Sequence, residues 1–363
     1  MEAEEQQQLP ITIPIATTTS VSLLTGFHAG YFRISLSLCA QALLWKTLRE
    51  STTSAAGPFP RLAAMLPSAA FIVIWSVALS SLAALCLLYS CRCLFKFRHV
   101  QAEFLNHVGV NYLFAPWISG LLLLQSAPFR HGGGHDALWW AFSAPILALD
   151  VKIYGQWFTK GRTFLTAVAN PASQITVIAN LVGARAAGEM GREEAATLMF
   201  AVGMVHYLVL FVTLYQRFEE SNGLPPALRP VFFLFIAAPS VASSAWKSIS
   251  GSFDTASKML FFLSLFLFAS LVSRPALFKR SMRRFNIAWW AYSFPLTTVA
   301  MAAAEYAKEV TGGIASALVL MLTALSVVVV VFLLAFTAVK TSDLLPRGDD
   351  DPFKPISQVA PST

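Results

Sequence analysis

Charged residues are scarce in this sequence: Asp, Glu, Lys and Arg together make up 12% of its 363 residues. A soluble domain carries about 25%, so the composition excludes an ordinary water-soluble globular protein. Apolar residues take their place, because hydrophobic side chains make up 56% of the chain and the mean hydropathy is +0.61. Apolar runs of about 20 residues, the length that crosses a bilayer as a helix, recur from near residue 20 to residue 341. The sequence therefore predicts a multi-pass membrane protein.

Cysteine and histidine are few, with four and six residues respectively. Cys91 and Cys93 are closer in sequence than the two ligands of a usual Cys-x-x-Cys half-site. His131 and His135 are expected on the opposite side of the membrane, so we predict no metal site and no cofactor. The sequence has no GxxxxGK[ST] phosphate-binding loop and no Ser-His-Asp arrangement. Neither ATP-driven transport nor an enzyme is therefore expected.

The apolar runs predict ten transmembrane helices. Their short connections make sequential helices antiparallel neighbours, which gives five helical hairpins. The predicted spans are residues 21–45, 67–94, 107–127, 137–158, 170–189, 194–217, 230–250, 255–275, 286–309 and 313–340. They form one transmembrane domain, residues 21–341, between a short N-terminal tail, residues 1–20, and a disordered acidic C-terminal tail, residues 342–363.

The positions of Lys and Arg indicate the orientation of the chain. The net charge is +7, and the basic residues lie mostly in short loops, with a cluster at residues 279–284. They are more frequent on the side that holds both termini, which predicts that both termini are cytosolic. Basic residues in such loops are a topology signal and not a nucleic-acid-binding face, so no nucleic-acid partner is expected.

Proline and glycine separate the predicted spans into two kinds. The odd-numbered spans carry Gly26 and Gly30, Pro116, Pro171, Pro239 and Pro295, in that order. The even-numbered spans are more uniformly apolar, although the fourth contains Pro145. An interior proline kinks a helix and frees a carbonyl that lipid cannot satisfy. We expect an inner ring of odd helices around a central pore and an outer ring of even helices, although small residues also serve close helix packing alone.

Four charged residues fall inside predicted spans: Arg33, Asp150, Lys152 and Glu305. Each needs a partner or water, because a charge near the bilayer centre costs ~2.5–3.5 kcal/mol. Two interpretations stay open for Arg33: it pairs with Asp150 and locks two helices together, or it faces the pore and attracts anions. Lys152 is expected to extend to the membrane interface or to pair with Asp150. No chain of buried acidic residues and histidines crosses the spans, so the pattern does not indicate a proton-coupled pump.

Several blocks of the sequence carry a family resemblance. The blocks include "GFHAGYFRISLSLCAQALLWK" in the first span, "VANPASQITVIANLVGA" in the fifth and "FNIAWWAYSFPLTTVAMAAAEYA" in the ninth. They resemble the plant slow (S-type) anion channels, in particular their short-tailed homologues, which are related to bacterial tellurite-resistance and C4-dicarboxylate transporters. The matching blocks follow one another in order over residues 20–340.

The resemblance implies a passive channel for chloride, nitrate or similar anions in the plasma membrane, assembled as a homotrimer with one pore in each subunit. It also implies that a phenylalanine on the ninth helix occludes the pore, and this residue corresponds to Phe294. A second gating position on the third helix corresponds to Leu122, an aliphatic residue where well-studied members carry an aromatic one. Backbone groups at the helix breaks and hydroxyls such as Thr298 are then expected to line the pore.

Two alternatives stay open. The short tails are typical of homologues that act as non-conducting or modulatory subunits in heteromers with related channel subunits. A proton-coupled carrier for malate or a similar dicarboxylate instead needs alternating access and a titratable coupling site, for which Glu305 and His206 are the candidates.

Overall fold

The computed structural model describes residues 24, 26–53, 68–128, 134–160, 169–217, 226–279, 285–310 and 312–344. Within these residues the chain forms helices and no strand, so the predicted all-α fold class is confirmed. Each of its ten longest helices overlaps one predicted span. We number them α1 (Arg33–Thr53), α2 (Ser68–Phe95), α3 (Ala115–Ser126), α4 (Gly134–Lys160), α5 (Gln174–Glu189), α6 (Glu193–Arg217), α7 (Leu234–Ser250), α8 (Thr255–Val272), α9 (Ser293–Glu309) and α10 (Gly313–Val339).

Six helical segments among the described residues are long and apolar enough to cross a membrane. They are Ser68–Phe95, Gly134–Lys160, Glu193–Tyr215, Arg229–Ser250, Thr255–Val272 and Gly313–Val339. The number becomes seven if the pair Phe97–Leu105 and Gly109–Ser126, which is bent by 104°, forms one span. These segments establish a multi-pass membrane protein, whereas ten spans remain a prediction.

The even-numbered helices expose apolar surface, and the odd-numbered helices are buried. Only 17% of the most apolar window is buried in α2 and in α8, against 78% in the segment Arg229–Ser250 that contains α7. Side chains such as Leu87, Phe266 and Val328 are more than half exposed on the even helices. A folded protein in water rarely exposes so continuous an apolar surface. The even helices are therefore suited to contact lipid.

The odd-numbered helices pack against one another in a continuous series. Helix α1 contacts α3, α3 contacts α5, α5 contacts α7, α7 contacts α9, and α9 contacts α1. Each even-numbered helix packs on the odd helix that precedes it and also contacts the next odd helix: α2 lies against α1 and α3, and α10 lies against α9 and α1. This order of contacts explains why the odd helices are buried and the even helices are exposed.

Each odd-numbered helix begins with a short preceding turn. Four of these turns are 3-10 helices, Ala29–Phe32 before α1, Pro171–Ser173 before α5, Pro226–Phe233 before α7 and Ile287–Tyr292 before α9, and the fifth is the short α-helix Gly109–Tyr112 before α3. The first N–H groups of a helix have no partner inside it. A side chain just before the helix supplies such a partner at a capped start.

The same capping geometry recurs at four of these starts. The ring of His28 accepts a hydrogen bond from the backbone N–H two residues later, at 3.0 Å. The side-chain oxygens of Asn106, Asn170 and Asn286 accept equivalent bonds at 2.8, 2.9 and 2.9 Å. The sequence pattern of Asn or His two residues before Ala, Val or Gly therefore marks where α1, α3, α5 and α9 begin. Sequence reasoning missed this signal.

The prolines lie closer to helix starts than the sequence predicted. Pro116 is in the first turn of α3, Pro171 opens its 3-10 turn, and Pro295 is in the first turn of α9. The predicted mid-span kink is wrong for Pro116 and Pro295, because a first turn has no internal partner for the N–H that proline lacks. Pro171 was already expected at the second residue of its span, 170–189. Pro239 is inside α7, as expected, and Pro145 is inside α4.

Three boundaries also differ from the prediction. Helix α1 continues to Thr53 although the first span was expected to end at residue 45. The helix Phe97–Leu105 was not predicted, since its nine residues mix apolar and basic side chains. Ser342 to Leu344, expected in the disordered tail, lie in the short helix Thr341–Leu344, and the rest of that tail and the predicted tail 1–20 lie outside the described residues.

Candidate functional site

Phe294 is buried at the start of α9. It is the second residue of that helix, follows Ser293 and precedes Pro295, and only 1% of it is exposed. Asn286 caps the 3-10 turn Ile287–Tyr292, which leads directly into α9. The cap and the proline together fix where the turn changes to an α-helix, and thereby where the ring of Phe294 is placed.

Leu122 lies in the middle of α3 and is 2% exposed. It belongs to the same continuous apolar cluster as Phe294. Helices α3 and α9 both pack against α1. Both predicted gating positions are therefore buried on odd-numbered helices.

Hydroxyl and amide groups connect the odd helices to their neighbours. The hydroxyls of Thr298 on α9 and Ser240 on α7 are 2.8 Å apart. Gln41 on α1 donates from its amide to Thr297 at 3.0 Å and to the hydroxyl of Ser326 on α10 at 2.6 Å. Thr298 was predicted to line a pore, whereas the cross-helix role of Gln41 was not predicted.

The two predicted glycines of the first span differ in what they do. Gly26 is half-buried, and Gly30 is buried within the turn Ala29–Phe32. A side-chain Cβ on Gly30 would stand 2.5 Å from the ring of His28. Glycine is therefore required at position 30, because the imidazole that caps the helix start occupies the space of a side chain.

The expected ion pair between Asp150 and Arg33 or Lys152 is absent from the described residues, so this prediction is wrong. Asp150, 3% exposed on α4, accepts a hydrogen bond from the amide of Asn180 on α5 at 2.7 Å. Lys152 donates to the backbone carbonyl of Phe104 and lies over its ring. A neutral amide replaces the expected cation, and the ammonium group reaches the end of the helix Phe97–Leu105.

Glu305, the fourth predicted intramembrane charge, is part of a buried ion cluster. Arg185 on α5 donates to Glu305 on α9 at 3.1 Å and to Glu189 at 2.9 Å. The ammonium group of Lys247 on α7 is 3.9 Å from Glu305. Arg185 was not among the intramembrane charges singled out from the sequence, but it is 5% exposed inside α5. Its spacing of four residues from Glu189 was the available signal.

A second buried ion pair fixes the start of α1. Arg92 at the end of α2 donates to Glu103 at 2.7 Å, and Glu103 accepts the backbone N–H of Ala29, also at 2.7 Å. Arg92 is 4% exposed and Glu103 is 1% exposed. The helix Phe97–Leu105 therefore holds the carboxylate that connects α2 to the first turn of α1. Sequence reasoning treated Arg92 as a topology signal alone.

Within the described residues, no three His, Cys, Asp or Glu side chains are grouped as metal ligands would be. The four cysteines are free thiols. His131, one half of the histidine pair considered above, lies outside the described residues. The polar groups that the structure does bring together are thus hydroxyls, amides and the charged pairs of α1, α5, α7 and α9.

Comparison with known proteins identifies the family. Residues 26–338 match the family model described as SLAC1, voltage-dependent anion channel. The chain is similar to S-type anion channel SLAH1 of Arabidopsis thaliana, with 54% identity over 90% of this chain and 84% of that protein. It is also similar to S-type anion channel SLAH4 of the same plant, with 53% identity over 90% of this chain and 87% of that protein.

A more distant relative is bacterial. The tellurite resistance protein TehA homologue of Haemophilus influenzae is 26% identical over 76% of this chain and 80% of that protein. The resemblance read from the sequence blocks is therefore confirmed for both the plant and the bacterial groups. Because the family model covers most of the chain and both plant relatives are more than half identical to it, the chain belongs to the S-type anion channel family.

Proposed function

We propose that this protein is a passive channel for small inorganic anions such as chloride or nitrate in the plasma membrane. Ten transmembrane helices form five hairpins, both termini are cytosolic, and three copies assemble with one pore each. The pore runs through the centre of the odd-numbered helices. This proposal rests on one observation above all: α1, α3, α5, α7 and α9 contact one another in a closed series. Five buried helices in such a series enclose an axis.

The lining of this axis suits anions without a dedicated binding ring. The hydroxyl of Ser293, which has no hydrogen-bond partner among the described residues, offers a donor, and the N-terminal turns of the odd helices offer the positive ends of helix dipoles. Rings of fixed arginines would bind anions too strongly for rapid release, since conduction requires that an ion also leaves. Anion selectivity then follows the cost of dehydration.

Phe294 closes the pore in this proposal, with Leu122 as a second apolar constriction. The support is that both are buried apolar side chains on odd-numbered helices. An apolar constriction excludes hydrated ions by dewetting. Opening then requires the ring of Phe294 to leave the axis, through a rotamer change at the turn before Pro295.

The surroundings of Glu305 and His206, the two residues that a proton-coupled dicarboxylate carrier would use for coupling, favour the channel. Glu305 is held by Arg185 and Lys247. His206 lies on the even helix α6, where its Nδ1 is 2.7 Å from the carbonyl of Val202 and its ring stacks on Tyr154. Neither group is a free titratable site on the axis.

The proposal is tested by recording currents from the protein in oocytes. We expect Phe294→Ala to carry a large constitutive anion current that reverses at the anion equilibrium potential and ignores a pH gradient. Phe261→Ala is the matched control, because Phe261 is also fully buried but lies on the even helix α8. Each substitution costs ~3–5 kcal/mol of stability, so both need a measured surface expression.

The possible results separate the alternatives. A current in Phe294→Ala and none in Phe261→Ala supports the gate. Currents that follow the proton gradient indicate the carrier instead. If neither variant conducts although both reach the surface, the channel is rejected, and co-expression with a conducting relative then asks whether the chain is a modulatory subunit.

A further inference from the structure

Arg33 is a buried cation that has no acidic partner within the described residues. It is the first residue of α1, follows the turn Ala29–Phe32 and is 6% exposed. Among the described ion pairs, none includes Arg33. Its guanidinium carbon lies 4.1 Å from the centre of the ring of Tyr112, which belongs to the short helix before α3. Glu103, the carboxylate bound to the turn before α1, is already engaged by Arg92.

The ring of Tyr112 does not satisfy this cation by itself. A cation–π contact attracts the guanidinium face, but a guanidinium also has five N–H donors in its plane. A buried charge without compensating hydrogen bonds is strongly destabilising in a protein interior and in a membrane. Among the described residues the guanidinium of Arg33 makes no ion pair, so its in-plane donors are available to a further negative or polar group.

Two more buried polar groups lack partners among the described residues. Tyr112 is on the short helix that packs on the turn before α1, and Gln174 is on α5, which packs on that short helix. Among the described residues, the hydroxyl of Tyr112, a residue that is 2% exposed, has no hydrogen-bond partner. The amide of Gln174, the fully buried first residue of α5, has no partner in the described part of the chain at either its nitrogen or its oxygen. Buried side-chain groups usually have such partners. Unpaired groups at the starts of α3 and α5 thus accompany the unpaired cation at the start of α1.

These segments are in contact. The amide nitrogen of Asn111, next to Tyr112, is 3.5 Å from the hydroxyl of Ser173, next to Gln174. Arg33 is joined to the same group through the ring of Tyr112. The guanidinium of Arg33, the phenol of Tyr112 and the amide of Gln174 therefore lie at the starts of α1, α3 and α5, which are consecutive odd-numbered helices.

We propose that Arg33, Tyr112 and Gln174 form a binding site for one small monovalent anion. The guanidinium supplies the charge and a planar pair of donors, and the phenol O–H and the Gln174 Nε2–H supply donors from the other two helices. This inference deepens the proposed function, because it assigns a resting position for the permeant anion near the cytosolic end of the pore. A fixed cation there raises anion occupancy and slows anion exit.

The test measures anion binding and needs no current. The melting temperature of the purified full-length protein is followed against chloride or nitrate, with gluconate keeping the ionic strength constant. The wild type is expected to show a saturable rise, as a ligand that binds the folded state produces. Arg33→Gln is expected to weaken the apparent Kd by about tenfold or more, and Tyr112→Phe by about threefold to tenfold, from the hydrogen bonds removed.

The matched control is Arg98→Gln, which removes an exposed arginine from the helix Phe97–Leu105 and is expected to leave the Kd unchanged. An unchanged Kd in Arg33→Gln, or the absence of a saturable effect in the wild type, overturns the site. If Arg33→Gln does not fold, Tyr112→Phe decides, because it keeps the ring and removes only the hydroxyl.

The site and the channel can fail separately. Anion binding that depends on Arg33, together with a silent Phe294→Ala, keeps the site and rejects the channel. A current in Phe294→Ala, together with anion binding that ignores Arg33, keeps the channel and rejects the site.

Discussion

Removing the guanidinium of Arg185 is expected to destabilise the fold more than removing the carboxylate of Glu305. Arg185 has two carboxylate partners, Glu305 at 3.1 Å and Glu189 at 2.9 Å. Glu305 is 3% exposed and, without Arg185, keeps Lys247 at 3.9 Å as its cation. The two substitutions therefore leave charges in unequal surroundings, although they break the same pair.

The magnitudes follow from what remains after each substitution. Breaking a buried ion pair by removing one partner costs ~3–5 kcal/mol, because it leaves an uncompensated charge. Arg185→Gln leaves Glu305 with Lys247 alone, a partly exposed cation at 3.9 Å, and the Oε2 of Glu305 already lacks a hydrogen bond among the described residues. Glu305→Gln leaves Arg185 beside Glu189, so its cost is nearer the ~1–3 kcal/mol of one unsatisfied group.

The assay is the free energy of unfolding of the purified protein in detergent, obtained from denaturant titration. The double variant is expected to cost less than the sum of the single variants, with a coupling of ~1–3 kcal/mol. Arg274→Gln, which removes an exposed arginine after α8, is the control and should change stability by less than ~0.5 kcal/mol. Equal costs for the two single variants, or additivity in the double variant, refute this reasoning.

Two further predictions concern helix packing and capping. Gly188→Ala should lower the melting temperature, because its Cβ would stand 2.9 Å from the backbone oxygen of Ser248, whereas Gly155→Ala, with nothing within 4 Å, should not. The N–H of Ser257 donates to Asp254, the cap of α8, and holds the pKa of that carboxyl below its usual value. The stability it supplies is present above the unfolded pKa of ~3.9 and is lost as the pH falls through the lower folded value, so melting curves of Asp254→Asn should depend less on pH below about 5 than those of the wild type.

The existence of the helices was readable from the sequence because burial in a membrane demands long apolar runs, and every predicted span overlaps a helix. The residues at which the helices end were harder to predict from the sequence. Lys46 and Thr47 look like loop residues, yet Lys46 donates to the carbonyl of Gln125 at 2.5 Å and Thr47 donates back to Leu43 within α1. A long polar side chain can thus donate a hydrogen bond to a carbonyl of a neighbouring helix while its own backbone stays helical.

The pairing of buried polar groups was the least predictable feature. Asp150 was expected to need a cation, but the structure supplies Asn180, a neutral amide that no count of charges reveals. Glu103 and Arg92 are 11 residues apart in sequence and became partners only because the chain turns between α2 and the helix Phe97–Leu105. Which residues become such partners depends on tertiary geometry, and neither the amino-acid composition nor the hydrophobic periodicity of the sequence predicts it.

The electrostatics of the odd helices are consistent with anion passage at both ends of the proposed pore. If the odd helices run in the same direction, as five hairpins require, their N-terminal turns share one side, where the dipole is positive and Arg33 adds a charge. Their C-terminal ends share the other side, where the dipole is negative. Lys247 lies in the last turn of α7 and Lys308 in the last turn of α9. These cations lie beside Glu305 and Glu309 and offset in part both those carboxylates and the negative helix ends. Reversing the sign of Lys247 should therefore reduce the current through an open Phe294→Ala channel without closing it.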